Sequence, residues 1–134
     1  MNEDRTEVEQ ALVDAAESAM ANAYCPYSHY PVGAAVRDES GVIYLGCNIE
    51  NAALGSTMCA EAGALAAATV NGGRGFTHVA VVTGNGGMPC GNCRQLLLEL
   101  APDAILIVAA KDDPERIMTQ PVRQLLPDPF TTFK

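Results

Sequence analysis

The sequence predicts an α/β fold in three layers, in which a mixed β-sheet carries helices on both of its faces. Segments with apolar residues at helical spacing alternate along the chain with short apolar runs. Two of those runs are continuous enough to be strands buried on both faces, and a short turn joins the first two predicted strands. An opening hairpin followed by this alternation implies a mixed sheet.

The first elements are a helix and a hairpin. Leu12, Ala16, Met20 and other apolar residues recur at helical spacing, which predicts an amphipathic helix over residues 6–23. The stretch CPYSHYP then ends it. Residues 32–37 and 42–47 are predicted strands, and the intervening DESG supplies the turn of a hairpin.

The rest of the chain alternates between helices and strands. The alanine-rich residues 58–70 predict a second helix, which the following NGG ends. HVAVVT (78–83) and AILIVAA (104–110) are predicted buried strands, and residues 91–100 between them a helix. PVRQLLP (121–127) predicts one more short helix, with proline at its first position.

Length and composition predict a single globular domain spanning residues 1–134. Hydrophobic residues make up 49% of the chain and charged residues 18%. No apolar run reaches the roughly 18 residues of a membrane span, and the first residues are acidic, so we expect a cytoplasmic protein without a membrane partner. The net charge of −8 and the lack of a basic cluster argue against a nucleic-acid partner.

The five cysteines are the strongest chemical signal. Their odd number argues against a disulfide framework and favours metal or catalytic roles. Cys90 and Cys93 form a CxxC pair just before a predicted helix, which fits a redox couple or half of a zinc site. A catalytic zinc needs a third protein ligand, for which Cys59 is the candidate, whereas a closed structural site would also need Cys25 or Cys47.

Glu61 makes the catalytic interpretation the more specific one. It follows Cys59 by two residues and lies in the first turn of a predicted helix. Helix N-termini favour thiolates there, and a carboxylate beside the metal can move protons to and from zinc-activated water. Cys59-Ala60-Glu61 followed by Pro89-Cys90-Gly91-Asn92-Cys93 matches the pattern of zinc deaminases.

Five sequence blocks in order resemble the small cytidine deaminases of the all-cysteine zinc type, which are usually homotetramers. The blocks are YCPYSHYPVGAAV, GCNIENAALG, MCAEAGAL, MPCGNCRQLLLEL and LLPDPF. The resemblance implies a three-layer sandwich around a mixed five-stranded sheet. It also implies Zn²⁺ on Cys59, Cys90 and Cys93, catalysis by Glu61, and hydrolytic deamination of cytidine or 2′-deoxycytidine in pyrimidine salvage.

The same resemblance assigns contacts with the nucleoside. Asn48 and Glu50 would hold a ribose hydroxyl. Tyr30, where phenylalanine is frequent in the family, would pack against the pyrimidine, and the backbone at Ala60 would border the base. Phe130 would reach into the pocket of a neighbouring subunit, so the sites of a homotetramer would be shared between subunits.

Two positions depart from the family pattern. Ala62 stands where the family commonly has an arginine that offsets thiolate charge, and Leu54 lies where tyrosine is common. These departures leave open a deaminase of another aminopyrimidine, such as blasticidin S or a base-modified cytidine. A zinc or redox module without hydrolytic activity is the alternative of a different class.

Overall fold

The computed structural model describes residues 6–131, and within them the chain forms helices and strands in an alternating order. No helix among these residues combines the length and the apolar character that crossing a membrane requires. The elements are α1 (Glu7–Met20), β1 (Val32–Arg37), β2 (Ile43–Cys47), α2 (Ala60–Val70), β3 (His78–Thr83), α3 (Gly91–Leu100), β4 (Ile105–Ala110) and β5 (Asp113–Pro121), with short 3-10 turns at Leu54–Ser56 and Val122–Gln124.

The five strands form one mixed sheet in the order β2-β1-β3-β4-β5. Strand β1 is antiparallel to both of its neighbours, β3 and β4 run parallel, and β5 is antiparallel to β4. The helix α3 makes the crossover that a parallel pair requires. The predicted α/β fold with a mixed five-stranded sheet is therefore confirmed.

Side chains alternate across the central strands and build a core on each face of the sheet. On β3, Ala80 and Val82 pack against α1, while Val79 and Val81 pack against α2 and α3. The core on the α1 side contains Leu12, Val13, Ala16, Met20, Ala35, Ile107 and Ala109, and the opposite core contains Ala34, Val36, Ala60, Ala64, Leu65, Leu97, Leu106, Val108, Val122 and Leu125. The helices thus lie in two layers, as the sequence predicted.

The sequence pattern predicted no strand at residues 113–121 and a longer helix after them than the structure contains. Strand β5 contains Pro114 and is mostly exposed, because it pairs on one side only and lies at the edge of the sheet. Such a strand lacks the apolar run that marked β3 and β4. The helix predicted over residues 121–127 is a 3-10 turn of three residues, Val122–Gln124.

The start of β1 and the ends of β2 and β3 lie side by side at one end of the sheet. The register pairs Val32, at the start of β1, with Thr83, at the end of β3, and pairs Gly33 with Cys47, at the end of β2. The loops that leave β2 and β3 lead into α2 and α3. The N-termini of both helices therefore lie at this same end of the sheet.

Gly46 in β2 sets the position of α2. A Cβ at residue 46 would overlap the backbone of α2 at Ala60 and Ala64. We expect Gly46→Ala to lower the free energy of unfolding by about 1–3 kcal/mol through overpacking, measurable by urea denaturation. Gly55→Ala is the control, because no described atom outside its chain neighbours lies within 4 Å of a Cβ at residue 55. Equal stability of the two variants would contradict the prediction.

Candidate metal centre and active site

Two helix N-termini carry the three cysteines of the candidate site. Cys59 is the N-cap of α2 and Cys90 the N-cap of α3, both in extended backbone conformation. Cys93 lies in the first turn of α3 and is buried. The predicted location of the cysteines at helix starts is thus what the structure shows, and it brings sulfur atoms 31 residues apart in sequence to within 3.9 Å.

The spacing of the sulfur atoms fits a tetrahedral zinc. The Sγ atoms of Cys59, Cys90 and Cys93 all lie within 4.8 Å of one another, and those of Cys59 and Cys90 are 3.9 Å apart. Zinc–sulfur bonds of about 2.3 Å at tetrahedral angles separate sulfurs by about 3.8 Å. The donor set is therefore matched to Zn²⁺ and leaves one coordination position for a non-protein ligand.

The three thiols differ in their electrostatic surroundings. Burial is the main cause that raises the pKa of Cys59, and burial together with the nearby Glu61 and Cys59 raises the pKa of Cys93. Burial also acts to raise the pKa of Cys90, but backbone N–H groups of Cys93 and Asn92 and the neighbouring thiols lower it overall. A dipositive ion would favour the thiolate form of all three.

Glu61 faces the same cluster from the first turn of α2. Its side chain is 4% exposed, although most glutamates lie at protein surfaces. Burial raises the pKa of Glu61, while its own backbone N–H and a hydrogen bond with Cys93 act in the opposite direction. A buried carboxyl group with a raised pKa is suited to both accepting and releasing a proton near neutral pH.

A cavity of about 190 Å³ opens in front of the cysteines. It lies at the end of the sheet where α2 and α3 begin. Ligands of α/β proteins usually bind at this end, beyond the carboxyl ends of the strands. Seven of the nine predicted site residues line it, namely Tyr30, Asn48, Cys59, Ala60, Glu61, Cys90 and Cys93.

Asn48 holds the rim of this cavity together. Its Nδ2 donates to the carbonyl oxygen of Tyr30 at 2.9 Å, and its Oδ1 accepts from the backbone N–H of Val32 at 2.9 Å. One amide hydrogen and one acceptor lone pair remain after these bonds. Asn48 therefore fixes the start of β1 and keeps hydrogen-bonding capacity for a ligand.

The loop after β3 forms a wall of the cavity that sequence reasoning missed. Thr83 Oγ1 accepts from the backbone N–H groups of Gly86 and Gly87 at 2.8 and 2.9 Å, and the Tyr30 hydroxyl donates to Asn85 Oδ1 at 2.7 Å. Thr83, Gly87 and Met88 line the cavity. The polar Thr83 at the end of an apolar strand was the available signal.

Glu50 and Phe130 do not line the cavity. The Glu50 carboxylate accepts hydrogen bonds from the backbone N–H groups of Tyr27 and Ser28, at 2.9 and 3.1 Å, and from the Ser28 hydroxyl. The Ser28 hydroxyl is the main cause that lowers the pKa of Glu50. Phe130 is 57% exposed and borders a separate surface pocket with Gln95 and other residues of α3.

The remaining cysteines stand apart from the cluster. Among the described residues, the group that could hold a metal contains neither Cys25 nor Cys47, so a four-cysteine structural zinc has no support. Both side chains are half-buried. Ala62 borders a second cavity of about 290 Å³ that also touches Cys59 and Cys93.

Comparisons with known proteins agree with this geometry. Residues 6–109 match the family model described as the cytidine and deoxycytidylate deaminase zinc-binding region. A cytidine deaminase from Mycobacterium tuberculosis is 43% identical over 117 residues, covering 86% of this chain and 84% of the relative. A cytidine deaminase from Sporosarcina psychrophila is 40% identical over 126 residues, covering 91% and 90% respectively.

Solved structures show the same arrangement of elements. The crystal structure of cytidine deaminase from Burkholderia pseudomallei superposes with a TM-score of 0.86 at 38% identity, covering 90% of this chain and 98% of that one. That of cytidine deaminase from Mycobacterium tuberculosis gives a TM-score of 0.78 at 39% identity, covering 92% and 97%.

Proposed function

The chain belongs to the zinc-binding cytidine and deoxycytidylate deaminase family, and on that premise we propose that it deaminates cytidine and 2′-deoxycytidine hydrolytically. The products are uridine or 2′-deoxyuridine and ammonia, which is a step of pyrimidine salvage. The reaction needs an activated water, a group that moves protons and a pocket for a nucleoside.

One observation carries the proposal: a buried carboxyl group and three metal-spaced sulfurs share one cavity. Cys59, Cys90 and Cys93 would hold Zn²⁺, and Glu61 lies among the residues that line the same space. A redox couple would need two cysteines only and would leave the third sulfur and the buried carboxyl group without a role. A purely structural zinc would leave Glu61 unexplained.

The chemistry divides between the metal and the chain. Zn²⁺ held by Cys59, Cys90 and Cys93 would supply a Lewis acid that lowers the pKa of water toward about 7. Glu61 accepts the proton of the attacking water and delivers it to N3 of the pyrimidine. After hydroxide adds to C4, Glu61 takes the remaining proton from the C4 hydroxyl and passes it to the departing amine, so that the C4 carbonyl forms and water and cytidine give uridine and ammonia. Its burial keeps competing water from the proton path.

Substrate contacts follow from the rim of the cavity. The free hydrogen-bonding capacity of Asn48 is proposed for a sugar hydroxyl, and the Tyr30 ring and the backbone at Ala60 for the pyrimidine. The Glu50 carboxylate already accepts three hydrogen bonds from Tyr27 and Ser28, so its proposed contact with the sugar would use the lone pairs that these bonds leave. Phe130 is proposed to enter the cavity of a neighbouring subunit.

Ammonia release from a nucleoside panel tests the proposed activity. Zinc-loaded protein is expected to release ammonia from cytidine and 2′-deoxycytidine and to give the absorbance change of uridine formation. Blasticidin S and base-modified cytidines in the same panel test the alternative that Ala62 and Leu54 raised. No turnover of cytidine or 2′-deoxycytidine by protein that contains zinc would overturn the proposal.

A homotetramer in the cytoplasm completes the proposal. The exposed Phe130, which borders a surface pocket beside α3, supports a site shared between subunits, and five free thiols suit a reducing compartment. Sedimentation at working concentration is expected to give a species of four chains, and Phe130→Ala to raise KM without removing zinc. A monomer with full activity would contradict the shared site.

A further inference from the structure

Arg94 in α3 joins two parts of the chain that are distant in sequence. Its Nε donates to the carbonyl oxygen of Pro89 at 2.9 Å, and its Nη1 donates to the carbonyl oxygen of Leu125 at 2.9 Å. The side chain is half-buried. A guanidinium group suits this bridge, because its planar array of donors is always charged and holds a fixed geometry.

One end of the bridge is the loop that carries Cys90. Pro89 directly precedes Cys90, and both border the active-site cavity. A hydrogen bond to the Pro89 carbonyl fixes the peptide plane between Pro89 and Cys90. Arg94 therefore contacts the peptide group that leads directly into Cys90, the N-cap of α3.

The other end of the bridge is the C-terminal segment, defined here as residues 122–131. Val122 and Leu125 are buried in the core on the α2 and α3 side. Gln95, the next residue of α3, donates from Nε2 to the carbonyl oxygen of Phe130 at 2.9 Å. Two consecutive side chains of the cysteine-bearing helix thus bind carbonyl groups of the C-terminal segment.

We propose that Arg94 is a positioning residue that couples the metal centre to the C-terminal segment. It anchors the Cys90 loop to a segment whose side chains the core already holds, so the sulfur is preorganised for the metal. This inference rests on the proposed function, because it takes Cys90 as a zinc ligand.

Coupling of this kind acts in both directions. If the segment holds the Cys90 loop in its metal-binding geometry, then zinc on Cys90 must stabilise the docked segment by the same free energy. Residues 122–131 should therefore exchange amide hydrogens more slowly in the zinc-loaded protein than in the chelated protein. Arg94→Gln should reduce that difference.

Chelator competition on the zinc-loaded protein measures the effect on the metal. Replacing a residue that orients a metal ligand, but does not itself bind the metal, typically changes metal affinity by about 10–100-fold. We therefore expect Arg94→Gln to weaken zinc binding by about tenfold or more. Arg123→Gln is the matched control. This variant also removes one positive charge, here from the C-terminal segment. Unlike Arg94, Arg123 is exposed and pairs with Asp103 at the surface.

Arg94→Lys separates geometry from charge. Lysine keeps the positive charge but cannot bridge two carbonyl groups as a fork, so zinc affinity is expected to fall in this variant as well. It also serves where Arg94→Gln fails to fold. Wild-type zinc affinity in Arg94→Lys, or equal zinc affinity in Arg94→Gln and Arg123→Gln, would overturn the coupling while leaving the proposed function intact. Wild-type protein that binds no zinc would overturn both.

Discussion

Glu61→Gln is expected to retain zinc and to lower kcat for cytidine by roughly 10²–10⁴-fold, the usual contribution of general acid–base catalysis. Glutamine has nearly the shape of glutamate and can occupy the same buried site at the start of α2. It cannot accept a proton from water or return one to the departing amine. Initial rates at saturating cytidine, with zinc content measured on the same samples, check the prediction.

The control for this prediction is a second glutamate outside the cavity. Glu99 lies near the end of α3 and is exposed, so Glu99→Gln makes the same chemical change and removes the same charge. It is expected to keep the wild-type kcat. A Glu61→Gln variant with full zinc and a kcat within a few-fold of wild type would show that another group moves the protons.

The fold was predictable where burial leaves a mark on the sequence. Strands β3 and β4 are covered on both faces, so their residues are almost all apolar and the runs stand out. Strand β5 pairs with a neighbouring strand on one side only and is mostly exposed. Its proline and charged residues are therefore typical of a loop sequence. The resemblance to a family, and not the pattern of residues, supplied the fifth strand.

The candidate site was predictable where its residues are close in sequence. Cys59 and Glu61 share a helix start, as do Cys90 and Cys93, so helical geometry alone groups each pair. The bonds that hold the site in place are different. The contact of Tyr30 with Asn85 spans 55 residues, and its existence depends on the antiparallel pairing of β1 with β3.

Arg94 shows the same limit more sharply. Its two acceptors are the carbonyl oxygens of Pro89 and Leu125. Backbone carbonyls occur at every position and carry no mark in the sequence. The identity of residue 125 therefore gave no indication that its carbonyl oxygen accepts a hydrogen bond from α3.

Cys59→Ser is expected to remove zinc and, with it, deamination. Cys59 is the single ligand candidate from α2, while the other two lie on α3. Zinc therefore ties the two helices together, and serine, which seldom ionises near neutral pH, is a poor replacement for a thiolate. Zinc content by atomic absorption and ammonia release from cytidine should both fall below a tenth of the wild-type values.

Cys47→Ser is the matched control, because Cys47 is also half-buried but lies outside the three-sulfur cluster. Its zinc content should equal that of wild type. Zinc loss in both variants would instead indicate a closed site of four cysteines, in which no coordination position is left for water and hydrolysis has no nucleophile.

The two variants are also expected to differ in the way their stability responds to a chelator. Whatever binds only the folded state adds to the free energy of unfolding, so a chelator should lower the unfolding midpoint of Cys47→Ser and leave that of Cys59→Ser unchanged.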